Sequence, residues 1–322
     1  MPHVKVDEVI AVDFEERKLL WVDIEAPSGI ELESIAEQYL LPFHAVQDCL
    51  DAEHLPKFEG FGNLNFVILR AFDDRASEDA DTIQELTHKV AVFESESLVI
   101  TIHRTSQGFL TEIKDDWRTK ARLGEICKAS HVLLSILKGA IQTYQKPMTQ
   151  NRNLLEDFEV KVFKHAGDTF QDGYYLKRRA STFKRMLRMT LDILPGVASE
   201  HKDESSMLQD LKESGERMYF YAEDFYDNIN NLVNLHLSLS SHRLTVASFK
   251  TNEVMRILTV FSVFFMPLNL VTGIYGMNFE NMPELKWAHG YTFAISLMFT
   301  ITVTILFYFK RKGIFTAPEG AE

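Results

Sequence analysis

Two stretches toward the C-terminal end are apolar for long enough to cross a bilayer. Residues 257–275 read ILTVFSVFFMPLNLVTGIY and residues 291–309 read YTFAISLMFTITVTILFYF, each 19 residues without a charge. As helices rising about 1.5 Å per residue, each would span roughly 28 Å. The polar positions around the first are patterned. Asn252, Met255, Thr259, Ser262, Met266, Asn269 and Gly273 follow one another at spacings of 3, 4, 3, 4, 3 and 4, the 3.5-residue seam of packed parallel helices. The other positions are mostly Leu, Ile, Val and Phe. Polar groups at membrane depth persist where they face a partner or water, so the stripe is expected to line an assembly axis. A packing seam of small residues between two helices is the alternative, and two asparagines and two methionines stand against it. Pro267 removes a helical hydrogen bond, and Ser262 or water is expected to satisfy the freed carbonyl.

Upstream, the pattern changes twice. Residues 18–24, 64–72, 87–93 and 97–102 are rich in β-branched and aromatic side chains and read as strands. Pro27 and Ser28 open a helix with Leu32, Ile35, Ala36, Tyr39 and Leu40 on one face. Pro42 restarts a second, with Phe43, Val46 and Leu50 as its core side. The last strands are too close together for helical crossovers, so a mixed sheet is expected, with 73–81 as a loop tip. From about Asp115 the strand signals stop. Residues 130–192 keep helical periodicity, with Gly167 and Gly173 near a hairpin tip. The basic second arm, 174–194, faces Glu156, Asp157 and Glu159 on the first, so the arms are expected to pair with each other, with a neighbouring subunit, or to present a solvated face. Pro195 and Gly196 read as the last break before a long helix. No proline follows until Pro267 and no glycine lies between Gly215 and Gly273, so residues 216–274 predict one helix of roughly 88 Å. The predicted organisation is α+β with a membrane part: a mixed α/β cytoplasmic domain (1–125), a helical hairpin and stalk helix (126–250), and a transmembrane domain (251–322) whose spans are joined by a loop at 275–290.

Charge sets the orientation. Lys250 and Arg256 precede the first span and Lys310, Arg311 and Lys312 follow the second, whereas the connecting loop holds Glu280, Glu284 and Lys286. By the positive-inside rule both chain ends are cytoplasmic, and the first residues, MPHVKVDEV, lack the pattern of a secretory signal. Two cysteines, Cys49 and Cys127, suggest no disulfide framework. The net charge of −12 arises from the part before Lys250, which carries −13, since the remainder holds six basic and five acidic side chains. That balance disfavours nucleic acid as a partner and favours cations.

At 252–291, NEVMRILTVFSVFFMPLNLVTGIYGMNFENMPELKWAHGY, the chain resembles the CorA family of divalent-cation channels, through the YGMN signature at Tyr275, Gly276, Met277 and Asn278 and the MPEL loop at 282–285. The likeness extends more weakly over the whole chain, including VQDCLDAEHLPKF at 46–58. It implies a homopentameric funnel in the cell membrane whose five long helices continue as pore-lining spans, with Asn278 forming an outer ring that binds hydrated Mg²⁺. The family's pore face corresponds to Asn252, Met255, Leu258, Met266, Asn269 and Gly273. A neutral amide suits Mg²⁺, which keeps its waters and must leave again; a helix C-terminal cap is the alternative role for Asn278. Gly276 is expected to let the backbone turn toward the ion, Glu280 and Glu284 to concentrate cations at the mouth, and Met255, Leu258 and Met266 to form apolar gating rings.

The resemblance further implies a regulatory Mg²⁺ site between subunits, with one carboxylate on the N-terminal domain and one on the long helix. Asp48 corresponds to the first, but the second position falls on Arg217, which would repel the ion or pair with Asp48. Asp51, Glu213 and Glu216 are the substitutes within reach of a local shift, so feedback is expected to be weakened or relocated. Import of Mg²⁺, with Co²⁺ and Ni²⁺ as further cargo, is the function implied. A zinc transporter of the same superfamily is the near alternative, although the eleven histidines show no zinc spacing. A non-conducting membrane-anchored scaffold is the alternative in another class. No phosphate loop or nucleophile motif marks an enzyme, and no resident cofactor is expected.

Overall fold

The computed structural model describes residues 5–12, 18–77, 79–123, 125, 128–164, 169–280 and 282–314. Its contacts fall into two units, one up to His236 and one from Leu237. The first is built on a six-stranded sheet in the order β1 (Lys5–Val12), β2 (Lys18–Glu25), β6 (Leu98–His103), β5 (Thr87–Glu94), β4 (Leu64–Phe72) and β3 (Lys57–Phe61). β2 and β6 run parallel, and the other neighbours are antiparallel. The mixed sheet is therefore as expected, and four strands fall where the apolar runs place them. β1 and β3 were not anticipated. Their sequences, KVDEVIAV and KFEGF, carry charges inside the run, which an edge strand with one neighbour tolerates and an interior strand does not.

The pleat sends alternate side chains to two cores. Phe66, Ile68, Phe93, Ile100 and Ile24 lie under α1 (Gly29–Gln38) and α2 (Phe43–Leu50). Val67, Leu69, Val90, Val92 and Trp21 face α4 (Gly108–Arg122), α5 (Ala129–Gln142), α7 (Thr169–Glu200) and the start of α8 (Ser205–Tyr275). The helices after residue 126 thus close the same core that the sheet opens. A four-residue α3 (Ile83–Leu86) leads into β5, and α6 (Gln145–Lys164) precedes α7. Ser28 caps α1 as its proline-serine start predicts: its hydroxyl accepts from the Glu31 N–H, and the Ser28 N–H donates to the Glu31 carboxylate at 2.8 Å.

Some expectations need correction. On α2 the buried side is Ala45, Val46 and Cys49, whereas Phe43 and Leu50 are 66% and 41% exposed; small residues allow the close approach of α2 to the sheet and α1, and the larger ones turn outward. Cys49 is packing, its thiol pushed up to about 12 mainly by burial; Cys127 lies outside the described residues. Pro195 and Gly196 do not break the chain but sit inside α7, and the junction with α8 comes at His201 and the short turn Lys202–Glu204. Gly196 is set by packing: a Cβ there would lie 2.6 Å from Phe58 Cδ1. Gly215, likewise, lies within α8 against Leu191, so α8 begins well before residue 216. Gly167 is outside the described residues and Gly173 lies inside α7. The basic arm reaches Asp81 through Arg178 at 4.0 Å and Glu223 through Lys184 at 2.8 Å, and the arms themselves meet through Lys161 and Asp172 at 2.6 Å.

Gly196→Ala pits a helix-propensity gain of up to about 1 kcal/mol against an overpacking cost of ~1–3 kcal/mol from the Phe58 ring. The expected result is a net loss, read as a fall of roughly 2–4 °C in the thermal midpoint of the full chain in detergent.

Candidate functional site

The unit from Leu237 carries the second part of α8, a turn at Pro283–Lys286 and α9 (Gly290–Arg311). Both helices are long and apolar enough to cross a membrane. Phe264 of α8 meets Phe309 of α9 edge-on at 5.6 Å. Along α8 the partly covered residues are Arg256, Val260, Phe264, Pro267, Leu268, Val271 and Tyr275, whereas Asn252, Met255, Thr259, Ser262, Met266, Asn269 and Gly273 are all exposed. With about 100° per residue, the mean directions of the two sets lie roughly 150° apart. The patterned stripe therefore faces away from α9, with Leu258 exposed at its margin.

Not every polar residue in the stripe demands a partner. Thr259 donates to the Met255 carbonyl at 2.7 Å and Ser262 to that of Leu258 at 2.9 Å, so these hydroxyls are satisfied inside the helix. Ser262 thus does not serve the carbonyl of Val263 that Pro267 leaves free. The Asn269 side-chain amide, by contrast, has no hydrogen-bond partner among the described residues. Among the described residues of the stripe, Asn252 shares this state, but Asn269 alone of the two lies within the uncharged span.

α8 ends by folding its last N–H groups back. Gly276 N–H donates to the Thr272 carbonyl at 2.9 Å and Met277 N–H to that of Ile274 at 3.2 Å. The chain turns at Gly276, directly after α8 ends at Tyr275, without a left-handed backbone there; among the described residues the positive-φ glycines are Gly62 and Gly313. What Gly276 supplies is clearance, because a Cβ would come within 3.1 Å of the Thr272 oxygen. The Asn278 side chain takes no part in these bonds and stands exposed among Met277, Phe279 and Glu280. The side chain of Glu284 lies outside the described residues. Trp287 packs on Phe293 at 5.9 Å beside exposed Tyr291, and Tyr308, Lys310 and Arg311 close the other end of α9, the arrangement of interfacial aromatics and a basic flank.

The regulatory candidates are separated. Asp48 sits in the last turn of α2, whose C-terminal carbonyls accept from Lys89 (Cys49 O at 2.9 Å, with Asp48 O and Asp51 O) and from Arg104. Its carboxylate receives the Lys57 ammonium and lies 3.5 Å from His54 Nε2. Burial works against the Lys57 charge, but the bonds to Asp48 and Glu59 outweigh it and raise its pKa. Asp51 accepts from the Glu53 N–H at 2.8 Å. On α8, Glu213 accepts from Gln209 at 2.7 Å, Glu216 lies 3.8 Å from Lys212, and Arg217 is exposed. Because α2 and α8 pack on opposite faces of the sheet, one chain does not bring Asp48 to Glu213, Glu216 or Arg217.

A buried polar network lies apart from the residues that the sequence patterns single out. Asp23 of β2 is buried where β2 and β6 run parallel, accepting from Lys114 at 2.6 Å, from His103 at 3.0 Å and from the Thr101 hydroxyl, which also accepts from Trp21 Nε1 at 3.1 Å. Burial raises its pKa, but His103, Lys114 and Thr101 together pull it down to about 2. The available signal was an aspartate at an inward position of an otherwise apolar strand.

Comparison with known proteins places this geometry. The sequence profile of the CorA-like Mg²⁺ transporter protein matches residues 16–311. The cobalt/magnesium transport protein CorA of Thermotoga maritima is 25% identical over 273 residues, covering 83% of this chain and 75% of the relative. The complete structure of the CorA magnesium transporter from Methanocaldococcus jannaschii superposes with a TM-score of 0.64 at 21% identity, over 96% of this chain and 97% of that one. The ZntB cytoplasmic domain from Vibrio parahaemolyticus superposes with a TM-score of 0.57 at 13% identity, over 73% and 98%. At these identities the superpositions show a shared fold. The profile match over nearly the whole length, on a chain with this α/β unit, long α8 and apolar α9, shows that the protein belongs to the CorA-like Mg²⁺ transporter family, a family of transporters rather than enzymes.

Proposed function

We propose that the chain assembles as a homopentamer in the cell membrane, with both ends cytoplasmic, and admits hydrated Mg²⁺, with Co²⁺ and Ni²⁺ as further cargo. The observation that carries this reading is the exposed stripe from Asn252 to Gly273, which turns away from α9, holds the unpartnered Asn269 amide and leads into Tyr275–Asn278. A ring of Asn278 amides accepts hydrogen bonds from the ion's own water without stripping it. Glu280 and Glu284 raise the cation concentration at the mouth. Met255, Leu258 and Met266 form apolar rings that close by dewetting. Mg²⁺ is cargo here, not a resident cofactor.

The test is wild-type protein in liposomes under an inside-negative potential, loaded with a dye for Mg²⁺ or for Zn²⁺. Mg²⁺ entry supports the reading. Entry of Zn²⁺ alone favours a zinc transporter, and entry of neither favours a non-conducting anchored scaffold.

Regulation by Mg²⁺ at Asp48 is weak in this proposal, because Lys57 already neutralises that carboxylate within its own chain and the long helix offers Arg217 nearby in sequence to Glu213 and Glu216. Asp48→Ala is expected to leave inhibition by internal Mg²⁺ within about twofold of wild type, since a surface carboxylate already paired contributes little. A sharp loss of inhibition in that variant would restore Asp48 as the sensor.

A further inference from the structure

Far along the chain from the stripe, three side chains from separate elements converge at the junction of α7 and α8. Asn65 of β4 and Glu94 of β5 are register partners, and His201 separates α7 from the turn before α8. The Asn65 amide lies 2.8 Å from Glu94 Oε2, and His201 Nε2 lies 3.5 Å from the same oxygen. The three are about nine-tenths buried or more: Asn65 is 7% exposed, and the side chains of Glu94 and His201 are 5% and 10% exposed. Two of their atoms, Asn65 Oδ1 and His201 Nε2, have no hydrogen-bond partner. Buried polar atoms rarely go unmatched.

A cation accounts for both. Asn65 Oδ1 and His201 Nε2 each keep a lone pair for an ion, on side chains that both meet Glu94 Oε2. Donor atoms about 2.1 Å from one ion lie about 3.0 to 3.4 Å from each other, close to the 3.5 Å between His201 Nε2 and Glu94 Oε2. We propose that Asn65, Glu94 and His201 form a binding site for a divalent cation of the Co²⁺, Ni²⁺ and Zn²⁺ class. The imidazole selects that class, because Mg²⁺ takes oxygen ligands and keeps its water. The site ties the sheet to the residues that precede α8, the helix that carries the stripe, and it does not depend on conduction.

The experiment uses the full chain without a histidine tag, in detergent, equilibrated with Co²⁺ in excess Mg²⁺. Metal content and thermal midpoint are read for the wild type and for Asn278→Ala, which removes the proposed outer ring and leaves this junction intact. Both are expected to retain Co²⁺ and to gain stability from it, whereas Glu94→Gln and His201→Asn weaken retention by at least about tenfold. Retention unchanged in both variants, displacement of Co²⁺ by Mg²⁺ at equal concentration, or complete loss in Asn278→Ala would each overturn the proposal. X-ray absorption of the wild-type Co²⁺ complex needs no variant to fold: imidazole in the ligand shell supports the site, and a shell of oxygen alone removes it.

Discussion

Asn278→Ala is expected to lower Mg²⁺ uptake on the order of 100-fold while leaving the protein folded and assembled. Asn278 is exposed beyond the end of α8 and its side chain makes no hydrogen bond among the described residues, so its removal breaks no internal bond. In the proposed ring, each amide oxygen accepts from a water of the hydrated ion. Losing two or three such bonds at about 1 kcal/mol each weakens capture by roughly that factor. Asn278→Asp should behave differently, binding more tightly and conducting more slowly, because release limits flow through a charged ring. Dye-loaded liposomes under an inside-negative potential measure both. Wild-type uptake by Asn278→Ala would remove this residue from the conduction path.

The largest expected effect on stability belongs to Asp23. Asp23→Ala leaves the Lys114 ammonium, within 2.6 Å of the lost carboxylate, buried without its counter-charge. Breaking such a pair from one side typically costs about 3–5 kcal/mol, enough to unfold a marginal domain. Replacing both partners, Asp23→Leu with Lys114→Met, should recover most of the loss by the same argument. The acid limb follows from the folded-state pKa of about 2 against an ordinary 3.8. A depressed carboxylate stabilises the fold above its unfolded pKa, and that contribution is lost as pH falls from about 4 toward 2. The shift corresponds to ~2 kcal/mol. Denaturation of the full chain in detergent across that window should show a wild-type decline that Asp23→Asn lacks; parallel curves would mean that the network does not hold the charge.

The membrane part was legible because an uncharged run of this length matches the thickness of a bilayer, and a 3-4 pattern on it defines a face. The interior strands were legible for a related reason, as β4 is buried on both faces and its sequence, LNFVILRAF, is almost wholly apolar. What escaped depended on pairing between distant residues. The edge strands β1 and β3 take their hydrogen bonds from partners that local composition does not name. Gly196 looks like a break in sequence and is in fact clearance for Phe58, 138 positions away. Asp23 and Lys114 likewise explain each other only once β2 and α4 are adjacent. Glu94 and His201 each look like surface residues until the junction of α7 and α8 buries them together.

The hydroxyls of Thr259 and Ser262 have one more effect. Having given their protons to carbonyls one turn back, they offer outward only lone pairs, and the thioethers of Met255 and Met266 offer no proton either. Apart from the asparagine NH₂ groups, the side chains of the stripe form an acceptor-only surface. Such a wall can receive hydrogens from the water around a cation but has few to give an anion. On the proposed path, an uncharged lining would therefore favour cations through the polarity of its hydrogen bonds, in addition to the acids at the mouth.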